Sequence, residues 1–149
     1  MTSEQRNGGG RIVVGVDSSY SSKAALAWAV RQAGLTGDVV EAITAWQVPA
    51  VFGSVFTMTP ETSELDKDAR QALSEAVAEA EQRAPGVEIR ALVVQENPAT
   101  ALLSAAKGAE LLVVGSRGHG GFTEALLGSV GQHCVHHAEC PVVVVRGDS

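Results

Sequence analysis

The sequence predicts an α/β fold in which helices cover both faces of an open, parallel, five-stranded sheet. Short apolar runs alternate with alanine-rich segments, as expected for parallel strands joined by helical crossovers. Hydrophobic residues make up 45% of the 149 residues but aromatic residues only 4%, which suits valine-rich strands beneath small helical side chains. This length and composition predict one compact domain at residues 11–147, preceded by a polar, disordered tail at residues 1–10.

Five apolar runs, most of them rich in β-branched residues, predict the strands. They cover residues 12–16, 38–46, 87–94, 111–114 and 142–145. In the third run, Glu88 and Arg90 alternate with apolar neighbours, a half-exposed pattern that indicates a sheet edge. If this strand lies at an edge and the chain crosses strand one to reach strand four, the strand order is 3-2-1-4-5.

Four segments between the strands predict helices. They cover residues 24–33, 64–83, 98–107 and 129–138. Gly34 and Gly37 end the first helix, and Pro98 suits the first turn of the third. Residues 47–62 contain prolines and a glycine among apolar side chains, and they are too irregular for an element and too apolar for a freely solvated loop.

The reversal in this strand order predicts where a ligand binds. In open parallel sheets, ligands bind beyond the carboxyl ends of the two strands that flank the reversal. Those ends are Val16-Asp17 after strand one and Val114-Gly115 after strand four. We therefore expect the acidic turn and the glycine-rich stretch to lie side by side.

The stretch from Gly115 to Val130 joins a strand to a helix and is rich in glycine. Glycines allow positive φ and close backbone approach, so that N–H groups can point at an anion such as phosphate. Ser129 and Gln132 have the spacing of a capping box, which predicts a helix start with free N–H groups. The alternative is that this stretch is only a flexible connector.

The spacing Gly115-x2-Gly118-x9-Gly128-Ser129 resembles the nucleotide-binding signature of the universal stress protein family, in its ATP-binding branch. The likeness extends from the opening GVDSS, which contains Asp17, to the closing CPVVVVR, which ends at Arg146. It implies a Rossmann-like or flavodoxin-like fold of the adenine nucleotide alpha hydrolase type. It also implies a stress-response module that senses or sequesters ATP. Because nucleotide triphosphates are bound as magnesium complexes, we expect Mg²⁺ with the ATP, although no cluster of carboxylates converges here to hold the ion alone.

The resemblance further implies the residues that face the nucleotide. They are Gly15, Asp17, Ala45, Val114, Gly115, Gly118, Gly128, Ser129 and Val130. The residues from Gly115 onward approach the ribose and phosphates, and the backbone of Ala45 faces the adenine. Asp17 has an alternative interpretation as an Asx turn or a helix N-cap. Arg117 and His119 could neutralise phosphate charge, but we expect both to be solvated.

Composition excludes several other functions. The net charge of −6, without a dense run of Lys and Arg, argues against binding to nucleic acid or an anionic membrane. No apolar run reaches the roughly 18 residues of a membrane span, and the N-terminus lacks the apolar core of a signal peptide, so we expect a cytoplasmic protein. In that compartment Cys134 and Cys140 are expected to be free thiols.

Two further chemistries are alternatives to the binding module. His133 and His137 stand four residues apart near two thiols, which raises the question of a metal site. The alternative, which we favour, is that His136 and His137 in the last helical turn complement the helix dipole and that Cys134 is part of the core, so we predict no metal site. We also assign no catalytic residue, because the chain has no phosphate-binding lysine loop and no nucleophile beside a base. Slow ATP hydrolysis or adenylyl transfer in the same pocket remains the alternative.

The last strand predicts assembly. Val142-Val-Val-Val145 carries no charge, proline or glycine to protect a sheet edge, which favours pairing with a second copy in a homodimer. The resemblance implies the same, since proteins of this family commonly dimerise through this strand. The alternative is that Arg146 and the residues after it fold back over the edge.

Overall fold

The computed structural model describes residues 10–47, 60–117 and 127–147. In these residues strands and helices alternate as β1 Arg11–Gly15, α1 Tyr20–Thr36, β2 Val39–Trp46, α2 Pro60–Arg83, β3 Ile89–Gln95, α3 Pro98–Ala106, β4 Leu111–Gly115, α4 Ser129–His137 and β5 Val142–Val145. Nearly all of the predicted tail, most of the irregular segment at 47–62, Gly118 and His119 lie outside the described residues.

The predicted sheet is confirmed. Its strand order is β3-β2-β1-β4-β5, and every neighbouring pair is parallel. β1 is central, with Ile12 opposite Leu111 of β4 and Val40 of β2. The chain therefore reverses its direction along the sheet between β1 and β4, as the switch-point argument requires.

Helices pack on both faces because successive strand residues point to opposite sides. Ile12 and Val14 belong to the core under α1 and α2, whereas Val13 belongs to the core under α3 and α4. All three side chains are fully buried. The continuous apolar run in β1 thus reflects burial on both faces, as expected for a central parallel strand.

Several boundaries differ from the predicted ones. α1 begins at Tyr20, four residues early, because the Ser19 side chain accepts a hydrogen bond from the Ser22 N–H and caps the helix. Gly34 lies inside α1, and only Gly37, with φ of +82°, ends it. α2 likewise begins at Pro60, four residues before the predicted start.

The predicted edge character of β3 is confirmed by its exposure. β3 is exposed or half-buried along its length, and Leu92 is 53% exposed. Arg90 forms an ion pair with Glu88 at 2.8 Å, so charge stands near the beginning of this edge. β5 forms the opposite edge, and all four of its valines are half-buried.

Arg11 links the amino end of the sheet to the end of α3. Its guanidinium forms an ion pair with Glu41 at 3.0 Å and donates to the carbonyls of Ala105 and Lys107. These carbonyls lie at the end of α3, where helix carbonyls lack partners within the helix. The opposite, carboxyl end of the sheet is the one that carries the candidate site.

Candidate functional site

The carboxyl ends of β1 and β4 lie next to each other, because the two strands pair in parallel with Val14 opposite Val113. β1 ends at Gly15 and β4 at Gly115. The residues that leave these two strands therefore share one edge of the sheet, as the sequence predicted. We call this edge, from Gly15 to Asp17 and from Val114 to Arg117, together with Gly128 to Val130, the candidate site.

The turn after β1 is closed by its own hydrogen bonds. A carboxylate oxygen of Asp17 accepts from the Ser19 N–H at 2.9 Å, and the Asp17 N–H donates to the Ser22 hydroxyl at 3.1 Å. The Asx turn considered for Asp17 is thus present, while the N-cap is Ser19. Between them Ser18 adopts φ of +72°, a conformation that non-glycine residues adopt rarely and that is frequent at functional sites.

Ser21 of α1 holds the end of β4. Its hydroxyl donates to the Arg117 carbonyl and accepts from the Arg117 N–H at 3.2 Å. The Ser19 hydroxyl also donates to the Arg117 carbonyl, at 3.2 Å. These bonds fix the Arg117 backbone at the rim of the site, and its side chain is exposed. The spacing of serines in the sequence gave no signal for this contact.

Gly115 is required by close packing against Ser21. A Cβ at Gly115 would lie 2.7 Å from the Ser21 carbonyl carbon and 2.8 Å from its oxygen. Gly147, after β5, approaches Ser21 from another side, where a Cβ would lie 2.7 Å from the Ser21 Cα. The first turn of α1 is therefore enclosed by two glycines. Gly115 has this structural reason to be glycine independently of any ligand.

The start of α4 differs from the predicted capping box. The N-cap is Gly128, with φ of −70° and ψ of 170°, and no side chain caps the helix. The prediction that Ser129 is the N-cap is wrong, because Ser129 is the first helical residue and the capping position falls one residue earlier. The Gly128 N–H donates to the Ser116 carbonyl at 2.6 Å, which joins this helix start to the end of β4.

The start of α4 leaves backbone N–H groups without partners inside the helix. The first N–H groups of a helix, here those of Ser129 to Gly131, have no partner within the helix. Ser129 is exposed, and Val130 packs its side chain against the core under α3 and α4. An uncapped helix start of this kind binds anions through its N–H groups and its dipole.

Ala45 lies at the same end of the sheet, in β2. The Ile43 carbonyl accepts from the Val16 N–H at 2.9 Å, so Ile43 directs its backbone toward β1. Ala45, two residues on, directs its own N–H and carbonyl to the same side, where β1 has already ended. The Thr44 hydroxyl donates to the Val16 carbonyl at 2.8 Å and holds the two strand ends together.

The two remaining predicted positions are packed. A Cβ on Gly15 would lie 2.9 Å from Leu102 Cδ1 of α3, so this glycine lets α3 approach β1. Val114 is 3% exposed at the end of β4. Gly118 falls outside the described residues, so eight of the nine predicted positions lie within them.

Trp46, at the end of β2, makes a contact that the sequence did not indicate. Its indole N–H donates to Asp66 of α2 at 3.0 Å, and Arg70 forms an ion pair with the same carboxylate at 2.7 Å. The hydrogen bond from Arg70 is the main cause that lowers the pKa of Asp66 below its usual value. These contacts hold α2 against the end of β2.

Two thiols and three histidines lie on α4 or in the turn that follows it. Cys134 and Cys140 are free, and burial raises the pKa of Cys134 to about 11. The rings of His133 and His137 lie 4.6 Å apart on the exposed side of α4. Among the described residues, no three His, Cys, Asp or Glu side chains converge in a way that could hold a metal ion.

The sequence profile of the universal stress protein family matches residues 9–146, and the chain belongs to this family. It is 36% identical over 135 residues to a universal stress protein from Mycolicibacterium smegmatis. That match covers 91% of this chain and 45% of the relative. The chain thus spans about half the length of the curated relatives that it matches.

Solved structures of the family have the same fold. The universal stress protein UspA from Lactobacillus plantarum superposes with a TM-score of 0.77 at 24% identity, over 92% of this chain and 97% of that one. A universal stress protein in complex with cAMP superposes with a TM-score of 0.68 at 27% identity, over 93% and 98%. In the described part of this chain, no helix is both long enough and apolar enough to cross a membrane.

Proposed function

We propose that this chain binds ATP at the candidate site and acts as a nucleotide-dependent regulatory module of the stress response in the cytoplasm. The observation that carries the proposal is the uncapped start of α4, joined to the end of β4 by the bond from Gly128 to Ser116. It offers N–H groups to phosphates at the switch point of the sheet. The complex of a 27% identical family member with cAMP supports an adenine nucleotide as the ligand.

Each part of the nucleotide has a counterpart in this site. The N–H groups of Ser129 and Val130 and the hydroxyl of Ser129 donate hydrogen bonds to the phosphates. The backbone of Ala45 faces the adenine edge, because its N–H and carbonyl lie beyond the end of β1. Asp17 is exposed at the rim, where a carboxylate suits a ribose hydroxyl or a phosphate-bound Mg²⁺. Magnesium would depend mainly on the phosphates for its ligands.

The test is calorimetric titration of the full chain with ATP and magnesium, and separately with AMP and cAMP. Gly128→Glu places a carboxylate where the phosphates bind, so we expect it to abolish ATP binding and to leave the circular dichroism spectrum unchanged. The control is Ser74→Ala on the exposed side of α2, which should bind as wild type. Unchanged affinity in Gly128→Glu would contradict the assigned site.

The alternative is that the same pocket hydrolyses ATP. The described residues offer no histidine or lysine base at the site, so we expect turnover far below the median enzyme value of about 10 per second. ATP hydrolysis at ordinary enzyme rates, lost in Asp17→Asn, would favour an ATPase over the binding module.

We further propose that the chain forms a homodimer through the outer edge of β5. The carbonyls of Pro141 and Val145 accept bonds from β4, so the alternating residues Val142 and Val144 direct their backbone groups outward. Gly147 lies against Ser21 of α1, so the residues directly after β5 lie over the sheet face and away from that edge.

The dimer is tested by light scattering with Val144→Pro. This substitution removes an outward N–H and leaves the ladder with β4 in place. We expect wild type at twice the chain mass and the variant near the chain mass. A wild type that is monomeric at tens of micromolar would exclude this assembly.

A further inference from the structure

A groove with a volume of about 230 Å³ lies between α1 and α2, on the sheet face that these two helices cover. None of its lining residues belongs to the candidate site. The groove is therefore a second concave surface, and its lining differs in chemistry from the glycine and serine of the site.

The α1 wall of the groove is one continuous stripe of the helix. It consists of Lys23, Leu26, Ala27, Val30 and Arg31, which follow the three- and four-residue steps of a single helix face. Leu26 and Val30 are each 3% exposed and belong to the core, so the floor on this side is apolar. The charged residues stand at the two ends of the stripe and are exposed.

The α2 wall of the groove has the same residue spacing, and its small side chains explain the space between the two helices. It consists of Ala76, Glu79, Ala80, Arg83 and Ala84. The three alanines stand four residues apart and face the α1 stripe with methyl groups only. Larger side chains at these positions would have filled the space between the helices, as side chains normally do in a packed interior.

The charge on the rim is opposite to that of the chain. Lys23, Arg31 and Arg83 contribute three positive charges and Glu79 one negative charge, which gives +2 in a chain whose net charge is −6. No hydrogen bond or ion pair joins these side chains to the described part of the chain. The helix dipole accounts for Arg83 in the last turn of α2 but not for Lys23, since a cation near the start of a helix is unfavourable.

The direction of the helices orders these charges along the groove. Both helices follow strands of one parallel sheet, so they run the same way, and Arg31 and Arg83 stand toward the same end. Each stripe spans eight residue steps, or about 12 Å at the helical rise. The groove is thus a short apolar trough with two guanidinium groups toward one end, and guanidinium pairs well with carboxylate.

We propose that this groove binds a linear aliphatic carboxylate, such as a medium-chain fatty acid. The aliphatic chain lies along the alanines of α2 and the aliphatic stems of the rim side chains, and the carboxylate pairs with Arg31 and Arg83. The groove shares no lining residue with the candidate site.

The experiment is calorimetric titration of the full chain with decanoate below its micelle concentration, beside decanol as the neutral analogue. We expect one saturable decanoate site per chain. Decanol should bind about tenfold more weakly, and the double variant Arg31→Gln/Arg83→Gln should weaken decanoate by about tenfold or more, because charge-assisted hydrogen bonds are lost.

Two single variants separate the groove from the rest of the surface. Ala76→Leu fills the half-exposed part of the groove and should also weaken decanoate by about tenfold, which corresponds to about 1.4 kcal/mol. Arg90→Gln removes an exposed cation at the β3 edge and should bind as wild type. Absence of saturable decanoate binding to wild type overturns the proposal. Wild-type affinity in both Ala76→Leu and the double variant Arg31→Gln/Arg83→Gln overturns it as well.

Discussion

The turn after β1 and the start of α4 bring the same residue types to the candidate site and use them differently. In the turn, the hydroxyls of Ser19, Ser21 and Ser22 all take part in hydrogen bonds within the chain. At α4, Gly128 caps the helix without a side-chain hydrogen bond and Ser129 is exposed. The turn after β1 thus uses its hydroxyls within the fold, whereas Ser129 neither caps α4 nor is buried.

This difference changes the meaning of the glycine signature. The resemblance implies that all its glycines approach the nucleotide, but Gly115 faces Ser21 at a distance that excludes a side chain. Gly128 is instead the N-cap of α4, and its N–H donates to the Ser116 carbonyl. The glycines of this one sequence motif are therefore under two different structural constraints, close packing at Gly115 and the N-cap position at Gly128.

The largest effect is expected for Gly115→Ala. Its Cβ would meet the Ser21 backbone at 2.7 Å, so α1 or β4 must shift, and we expect a loss of about 3 kcal/mol in the free energy of unfolding. Urea denaturation measures it. The matched control is Gly34→Ala in α1, where the nearest atom to a Cβ is 3.6 Å away and the gain in helix propensity should stabilise by up to about 1 kcal/mol. Equal stability of the two variants would remove the structural role of Gly115.

A smaller loss of stability is expected for Ser21→Ala. Ser21 is 5% exposed, and its hydroxyl serves both the carbonyl and the N–H of Arg117. Removing it should lower the free energy of unfolding by about 1 to 2 kcal/mol. Ser74→Ala, exposed in α2, should change stability by less than about 0.5 kcal/mol. If Ser21→Ala were as stable as Ser74→Ala, the turn after β1 would not hold the end of β4.

These contacts also show what the sequence could and could not predict. The strand order followed from the apolar runs and from the charges of Glu88 and Arg90. A strand buried on one face and a strand buried on both faces differ in their local pattern of apolar and polar residues. The bond between Ser21 and Arg117 joins residues 96 apart, and no local pattern encodes such a pairing. It forms only because the parallel pairing of β1 and β4 brings the first turn of α1 over the end of β4.

The error at α4 has a local cause. The spacing of Ser129 and Gln132 fits a capping box, but the same residues also fit a helix that begins one position earlier. Gly128 takes the N-cap because its N–H is held by the Ser116 carbonyl and its backbone adopts the extended conformation of a cap. Sequence patterns locate helix ends only to within a residue or two, and here one residue decides whether Ser129 caps the helix or is its first residue.

Ser129→Ala is expected to have the smallest effect on stability. It is also the most direct test of the difference between the turn after β1 and the start of α4. Because this side chain makes no capping bond, its loss should leave the free energy of unfolding within about 0.5 kcal/mol of wild type. Affinity for ATP should fall by about 1 to 2 kcal/mol, since a hydrogen bond to a charged phosphate is lost. Calorimetric titration and urea denaturation on the same samples would measure both quantities. Ser21→Ala is the control with the opposite profile, since its loss is mainly in stability. A Ser129→Ala variant that loses stability but binds ATP as wild type would place Ser129 with the structural serines and leave phosphate binding to the backbone N–H groups alone.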